Sequence, residues 1–210
     1  TMGNCKIWKD SGEPPEASPI PGGMGNPSML LGSGFICEPR YKWFQAIATR
    51  YLDVPVYSSD PLAPPWDVDP HDPRIAAHYK DLLREDLQGQ VEFLEQHTGK
   101  KLDLDLLREI LALSHKALAY WRDTLYLRKA IPCPMGSTDY FSAIIPQMYM
   151  VGEEEAVDLY REIYHEVKDR VERKIGIVEE EKYRLIWFGL PPWFNLGFFN
   201  YLESLGAVAA

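Results

Sequence analysis

The chain has 210 residues, of which 46% are hydrophobic and 25% are charged, a balance typical of a globular protein with a hydrophobic core. Its formal net charge of −9 argues against a general nucleic-acid-binding protein, because such proteins use Lys and Arg to neutralise phosphates. The sequence shows no apolar run of about 18 residues or more and no recognisable signal peptide, so we expect a cytoplasmic protein without a membrane partner.

The first part of the chain predicts a strand, a helix and a second strand. Residues 1–27 are rich in Pro and Gly, which indicates a loop region. The apolar run 28–36 predicts a buried strand, and helical spacing follows over residues 38–51. A second short strand is predicted over residues 54–60. This order is that of a β-α-β unit, which is typical of a parallel sheet.

The middle of the chain, after a proline-rich stretch, is predicted to be helical. Apolar residues at helical spacing indicate long helices over residues 74–97 and 103–129, a short helix that starts at Ser137, and another helix over residues 152–175. The hydroxyl of Ser137 is a candidate N-cap for the short helix. The acidic run 179–181 is most simply interpreted as a solvated helix end.

A second strand–helix–strand order begins near residue 183. Residues 183–189 predict a strand, residues 194–205 predict a helix, and Ala207 starts another strand. Because both ends of the chain carry this alternation, we expect an α/β fold. It would consist of two Rossmann-like domains, each built on a parallel β-α-β sheet and linked by a helical insert.

The domain limits follow from this order of elements. Residues 1–66 are predicted to be the C-terminal part of the first α/β domain, residues 67–182 the helical domain, and residues 183–210 the start of the second α/β domain. The last residues, 205–210, are typical of the beginning of a strand rather than of a domain end. We therefore expect a chain that is truncated at both ends.

Three cysteines are the candidate metal ligands: Cys5, Cys37 and Cys133. This odd and sparse set does not indicate a secreted disulfide framework. Cys37 follows the first predicted strand and precedes a helix, a position that suits a soft ligand of an iron–sulfur cluster. The sequence has no CxxC pair, so the spacing alone does not establish a cluster, and three reduced thiols are the simpler interpretation.

Five segments, taken in chain order, carry a resemblance to a known family. They are Cys5 with the Gly-rich loop after it, residues 27–38, residues 54–61, residues 128–135 and residues 183–193. Together they resemble the D-component family of 2-hydroxyacyl-CoA dehydratases, which includes the cluster-bearing subunits of ATP-dependent benzoyl-CoA reductases. No single segment is a specific motif, so the shared order over almost the whole chain carries the resemblance.

The resemblance implies an enzyme subunit that binds a [4Fe-4S] cluster, with a double cubane as the alternative. By position, Cys5 and Cys37 match the first two cluster ligands in the loops of the first α/β domain, and a further ligand would lie beyond Ala210. Cys133 stands between two prolines and is expected to be structural. The implied partners are a paralogous subunit in a heterodimer and an iron–sulfur activator. That activator, and not this chain, would hydrolyse ATP and deliver low-potential electrons to a CoA thioester.

The resemblance implies one of two reactions. The reductases convert an aromatic ring to a cyclic diene, whereas the dehydratases expel a 2-hydroxyl group through a ketyl radical. Likeness in the insert and in the Gly-Leu-Pro-Pro-Trp loop favours benzoyl-CoA reductase, and Ser137, Tyr140 and Trp193 are the candidate substrate-pocket residues. Ordinary core packing is the alternative for the aromatic residues. Imidazole titrates near neutral pH, so histidines are candidate proton donors, but most lie on predicted amphipathic helices and the catalytic residues stay unassigned.

Two other interpretations remain open. A double-cubane protein of the same fold would reduce small molecules without a CoA substrate, and it would need more cysteines than this chain has. A non-catalytic scaffold subunit would bind no iron and would complete an interface with a paralogous partner. A nucleotide-binding enzyme is disfavoured, because the sequence has no GxxxxGK[ST] loop and no GxGxxG after a predicted strand.

Overall fold

Two small parallel sheets and a larger set of helices make up the described part of the chain. The structure is a computed structural model, and it describes residues 27–33, 38–59, 64, 67–69 and 71–209. The fold is mixed α/β and mostly helical, with two parallel two-stranded sheets. The chain divides into two units, Thr1–Leu102 and Asp103–Ala210. The domain limits expected from the sequence stay predictions.

The first unit contains one β-α-β arrangement followed by a long helix. Its elements are β1 (Leu30–Ser33), α1 (Glu38–Ile47) with a π-helical turn (Ala48–Leu52), β2 (Val56–Ser59) and α2 (Pro73–Thr98). The two strands are parallel, with Leu30 opposite Val56 and Ser33 opposite Ser59. The predicted β-α-β order is confirmed here, although the described strands are shorter than the apolar runs in the sequence.

Local signals define the ends of α2. The carboxylate of Asp72 accepts a hydrogen bond from the backbone N–H of Arg74 at 2.9 Å, and Pro73 occupies the first helical position. Gly99 ends the helix with a left-handed φ of 69°, which a residue without a Cβ adopts at little cost. These caps explain why the helix lies within one residue of the range predicted from the sequence.

Helix α2 is fixed to strand β2 by Tyr57 and Asp86. The Tyr57 hydroxyl donates to the backbone oxygen of Asp86 at 2.6 Å, and the Ser59 hydroxyl donates to the Asp86 carboxylate. Gly89 permits this approach, because a Cβ at that position would lie 2.6 Å from the Tyr57 hydroxyl oxygen. The contact therefore depends on a glycine inside a helix, where glycine is otherwise unfavourable.

The second unit is a helical assembly with a small sheet at its C-terminal end. Its elements are α3 (Leu104–Leu127), α4 (Ser137–Ser142), α5 (Ile145–Tyr149), α6 (Glu154–Glu172), β3 (Tyr183–Leu185), α7 (Gly197–Ser204) and β4 (Ala207–Ala209). Helices α3 and α6 supply most of the core, which also takes in one methionine. The core cluster consists of Ala117, Trp121, Met135, Val157, Tyr160 and Val167. Burial of these apolar side chains is the main source of stability in this unit.

Three expectations about local structure are wrong in the second unit. Ser137 is the first residue of α4 and not its N-cap, because Gly136 occupies the cap position and no side chain caps the helix. The single predicted helix is two helices, α4 and α5. The strand expected over residues 183–189 ends at Leu185, where its pairing with Ala209 ends. Periodicity alone could not show this end, because strand length is set by a non-local partner.

The second sheet is parallel, with Tyr183 opposite Ala207 and Leu185 opposite Ala209. Strand β4 is its buried strand, and Val208 has no exposed surface. None of the helices in the described ranges has both the length and the apolar character needed to cross a bilayer. The cytoplasmic location stays a prediction.

Candidate functional site

The carboxyl edge of the second sheet brings several polar side chains together. Strands β3 and β4 are parallel, so Leu185 and Ala209 end at the same edge. Open α/β sheets bind their ligands beyond this edge. The backbone oxygen of Ala209 accepts a hydrogen bond from Arg128 at 2.7 Å and another from the Ser137 hydroxyl at 2.6 Å. Side chains from α4 and from the end of α3 are therefore fixed at the edge.

Arg128 is a buried cation whose hydrogen-bond partners are neutral. Its guanidinium donates to the backbone oxygen of Met135 at 3.3 Å and to the Ser137 hydroxyl at 3.0 Å, besides its bond to Ala209. Its Cζ also lies 4.4 Å from the centroid of the Tyr140 ring, a cation–π contact. Burial lowers the pKa of the guanidinium, and the nearby Cys133 thiol is the largest influence in the opposite direction.

Glu203 of α7 approaches the same group of residues. The backbone N–H of Ser137 donates to its Oε1 at 3.2 Å. Burial raises the pKa of the Glu203 carboxyl, and the Ser137 N–H and Arg128 act in the opposite direction. Ser137 thus lies between a buried cation and a carboxylate. This residue is 2% exposed and its hydroxyl already donates to Ala209, so a role in binding substrate stays a prediction.

Cys133 is held in the core by its own segment. It is 1% exposed, and its thiol donates to the backbone oxygen of Met135 at 3.4 Å. Its backbone N–H donates to the Glu181 carboxylate at 2.8 Å, and Glu181 also pairs with Arg184 at 3.3 Å. The burial of Cys133 supports the structural role expected for it. The solvated position expected for Glu181 is wrong, because its side chain is 8% exposed and lies in a loop.

Aromatic rings surround the edge on the side of α4 and α7. Tyr140 stacks on Trp121 with ring centroids 4.8 Å apart, and Phe141 contacts Trp193 at 6.1 Å and Phe199 at 5.3 Å. Trp193 is 47% exposed. It belongs to a segment, residues 186–194, that follows β3 and that we call the apolar loop. Four of its large apolar side chains are almost fully exposed: Ile186, Phe188, Leu190 and Phe194.

Residues 4–210 match the family of the 2-hydroxyglutaryl-CoA dehydratase D-component. The chain belongs to this family. It is 30% identical to a subunit of the benzoyl-CoA reductase of Thauera aromatica over 85% of its own length. It is 25% identical to the (R)-2-hydroxyisocaproyl-CoA dehydratase alpha subunit of Clostridioides difficile over 83%, and 26% identical to the (R)-phenyllactyl-CoA dehydratase alpha subunit of Clostridium sporogenes over 85%.

These relatives are named as subunits, and they include both a reductase and dehydratases. The D-component chain spans about two fifths of their length, with 42% of the first dehydratase subunit and 41% of the reductase subunit covered. The resemblance stated from the sequence is confirmed at the level of the family. The identities do not favour either reaction over the other.

The expected cluster ligands of this D-component chain, Cys5 and Cys37, both lie outside the described residues. Within the part that the structure describes, no group of three or more His, Cys, Asp or Glu side chains could hold a metal ion. Cys133 is buried and its thiol is already bonded to Met135, so it does not provide a ligand set by itself. The described residues therefore do not form a cluster site, and the roles of Cys5 and Cys37 stay predictions.

The sequence alone did not identify the polar residues that organise the edge. Arg128 stands at the end of a helix, where a cation is ordinarily exposed, and Glu203 lies in an amphipathic helix, where a carboxylate is ordinarily solvated. The Pro-Cys-Pro segment after Arg128 was the available signal, because it turns the chain back toward that helix end. All five histidines considered as proton donors are exposed: His71, His78, His97, His115 and His165.

Proposed function

We propose that this D-component chain is part of the iron–sulfur subunit of an anaerobic CoA-thioester reductase of the benzoyl-CoA reductase type. The match of residues 4–210 to the family carries the proposal. The 30% identity to the benzoyl-CoA reductase relative and the aromatic rings beside the sheet edge support the choice of reaction. In the whole protein, the two parallel sheets would belong to two Rossmann-like domains linked by the helical insert.

Cys5 and Cys37 are the proposed ligands of a [4Fe-4S] cluster. When bound, such a cluster would supply low-potential electrons to the CoA thioester. The described residues have supporting tasks: Arg128 and Ser137 fix the end of β4, while Tyr140, Phe141 and Trp193 provide an apolar wall that excludes water. The proposed partners are a paralogous subunit and an iron–sulfur activator that hydrolyses ATP.

A 2-hydroxyacyl-CoA dehydratase subunit is the second candidate function. The dehydratase subunits among the relatives favour it, with identities of 25% and 26% over more than four fifths of this chain. Both functions use the same cofactor and a CoA thioester. They differ in the acyl group, so a comparison of substrates separates them and a measurement of iron does not.

The first experiment measures iron and acid-labile sulfide in the natural full-length protein, purified without oxygen. About four irons per chain are expected, with a broad absorbance near ~400 nm. The Cys5→Ala and Cys37→Ala variants should each lose iron, whereas the matched variant Cys133→Ala should retain it. More than four irons would indicate a double cubane. An iron-free protein would contradict the proposal and favour a scaffold subunit.

The second experiment supplies the complete enzyme, with its paralogous subunit and activator, with two thioesters. Benzoyl-CoA and a 2-hydroxyacyl-CoA are compared under ATP and a low-potential reductant. Formation of a cyclic dienoyl-CoA only from the first would support the reductase. Formation of an enoyl-CoA only from the second would replace the reductase with the dehydratase, while the cluster assignment would stand.

A further inference from the structure

A cavity of about 250 Å³ lies in the second unit, away from the sheet edge. Helices α3, α5 and α6 enclose it, and all its lining side chains are uncharged. The residues that matter here are Ser114, Ala117, Gln147, Met150, Ala156 and Tyr160. None of them belongs to the group formed by Arg128, Ser137 and Glu203. Leu118 and Val151, which also line the cavity, are 42% and 51% exposed, so the cavity is open to solvent on their side.

Gln147 contributes a buried hydrogen-bond donor to this cavity that has no partner. Its Nε2 is buried and makes no hydrogen bond to the protein. Tyr160 lies beside it, and the amide groups of Gln147 lower the pKa of the Tyr160 phenol while burial, the larger influence, raises it. The Tyr160 hydroxyl, however, donates its proton to the backbone oxygen of Ala143 at 2.6 Å, and the Gln147 Nε2 is left without a bond of acceptable geometry.

A buried donor without a partner is costly, by about 1–3 kcal/mol, and such groups are rare in folded proteins. The cavity beside Gln147 has room for the missing acceptor. A cavity of about 150 Å³ lined by apolar side chains holds one benzene molecule, so the larger cavity here accommodates a ring with a further polar group. A charged ligand is disfavoured because no lining side chain could neutralise its charge.

We infer that this cavity is a binding site for a small uncharged molecule, an aromatic or short acyl group that bears one carbonyl oxygen. The ring or alkyl part packs against Ala117, Ala156 and Met150, and the carbonyl oxygen accepts a hydrogen bond from Nε2 of Gln147. The site uses no cluster ligand and no residue of the sheet edge. Its existence is therefore independent of the proposed function.

The test compares two probes of the same shape in the natural full-length protein. Acetophenone carries a carbonyl oxygen, and α-methylstyrene carries a CH₂ group in its place. Their dissociation constants are measured by NMR titration in the wild type and in Gln147→Leu. Both probes should bind saturably to the wild type. The variant should lower the affinity ratio of acetophenone to α-methylstyrene by about 3–10-fold, because it removes one hydrogen bond.

A second variant tests the location of the site. Ala156→Leu places three further carbon atoms in the cavity and should weaken both probes at least ~10-fold, whereas Ala112→Leu on the exposed face of α3 should change neither. Circular dichroism checks that both variants are folded. The inference is overturned if acetophenone does not bind saturably, if the affinity ratio is unchanged in Gln147→Leu, or if folded Ala156→Leu binds as the wild type does. If Ala156→Leu does not fold, the affinity ratio decides.

Discussion

The guanidinium of Arg128 donates a 2.7 Å hydrogen bond to the backbone oxygen of Ala209, which lies 81 residues further along the chain. The bond joins the end of helix α3 to the carboxyl end of strand β4. It places a buried charge at the edge of the sheet where α/β folds bind ligands. The geometry of the edge therefore depends on one side chain that contacts three different segments of the second unit.

Arg128→Lys should destabilise the protein although it keeps the charge. A lysine ammonium cannot reproduce the planar fork that reaches Met135, Ser137 and Ala209, so part of the buried charge would lose its partners. We expect the free energy of unfolding to fall by about 2–4 kcal/mol. Arg122→Lys, on an exposed part of the same helix, should change it by less than about 0.5 kcal/mol. Urea denaturation of the full-length protein measures both, and equal values would contradict the role of Arg128.

Glu181→Ala should be destabilising, unlike the same change at its neighbour. The Glu181 carboxylate accepts from the backbone N–H of Cys133 at 2.8 Å and pairs with Arg184 at 3.3 Å, so its removal leaves a buried N–H without an acceptor. A loss of about 1–3 kcal/mol in the free energy of unfolding is expected. Glu180 is 76% exposed in its side chain and serves as the matched control, with an expected change near zero. Thermal unfolding of both variants under one set of conditions decides the difference.

Local signals in the sequence predict the helices well, and non-local contacts account for what sequence reasoning misses. The predicted limits of α2 lie within one residue of the observed ones because Asp72 and Gly99 cap it from adjacent positions. The predicted strand β3 is too long, since its end depends on pairing with β4. Ser137 resembles a helix cap in the sequence, but its actual acceptor is Ala209, 72 residues away. The candidate site is accordingly predictable as an edge of a sheet, but its polar residues are not.

Gly89→Ala should be destabilising, against the usual preference for alanine in a helix. Alanine ordinarily stabilises a helix interior by about 1 kcal/mol relative to glycine. Here its Cβ would lie 2.6 Å from the Tyr57 hydroxyl oxygen, so a loss of about 1–3 kcal/mol is expected instead. In the background of Tyr57→Phe, which lacks that oxygen, the next ring atom is 3.4 Å away and the substitution should become neutral or stabilising. A double-mutant cycle of unfolding free energies would show additive effects if the two residues were not in contact.

Glu203→Gln should make the stability of the protein less dependent on pH. Because burial raises the pKa of Glu203 in the folded state, the protonated form is favoured there. Its contribution to stability is present below the ordinary carboxyl pKa, about 4.5, and is lost as the pH rises through the raised folded-state value. Glutamine keeps an oxygen that accepts from the Ser137 N–H and cannot ionise. The variant should therefore match the wild type at low pH and be more stable at neutral pH, by less than about 1 kcal/mol because the carboxylate is only half-buried.

The matched variant Glu203→Ala separates the charge from the hydrogen bond in this experiment. Alanine removes the acceptor of the Ser137 N–H together with the charge, so it should be less stable than Glu203→Gln at every pH. Denaturation curves for the three proteins between acid and neutral pH give the required comparison. If Glu203→Gln lost stability on going from acid to neutral pH as steeply as the wild type, the titration would belong to another group. A wild type more stable than Glu203→Gln at neutral pH would instead show that attraction to Arg128 outweighs the burial of the carboxylate.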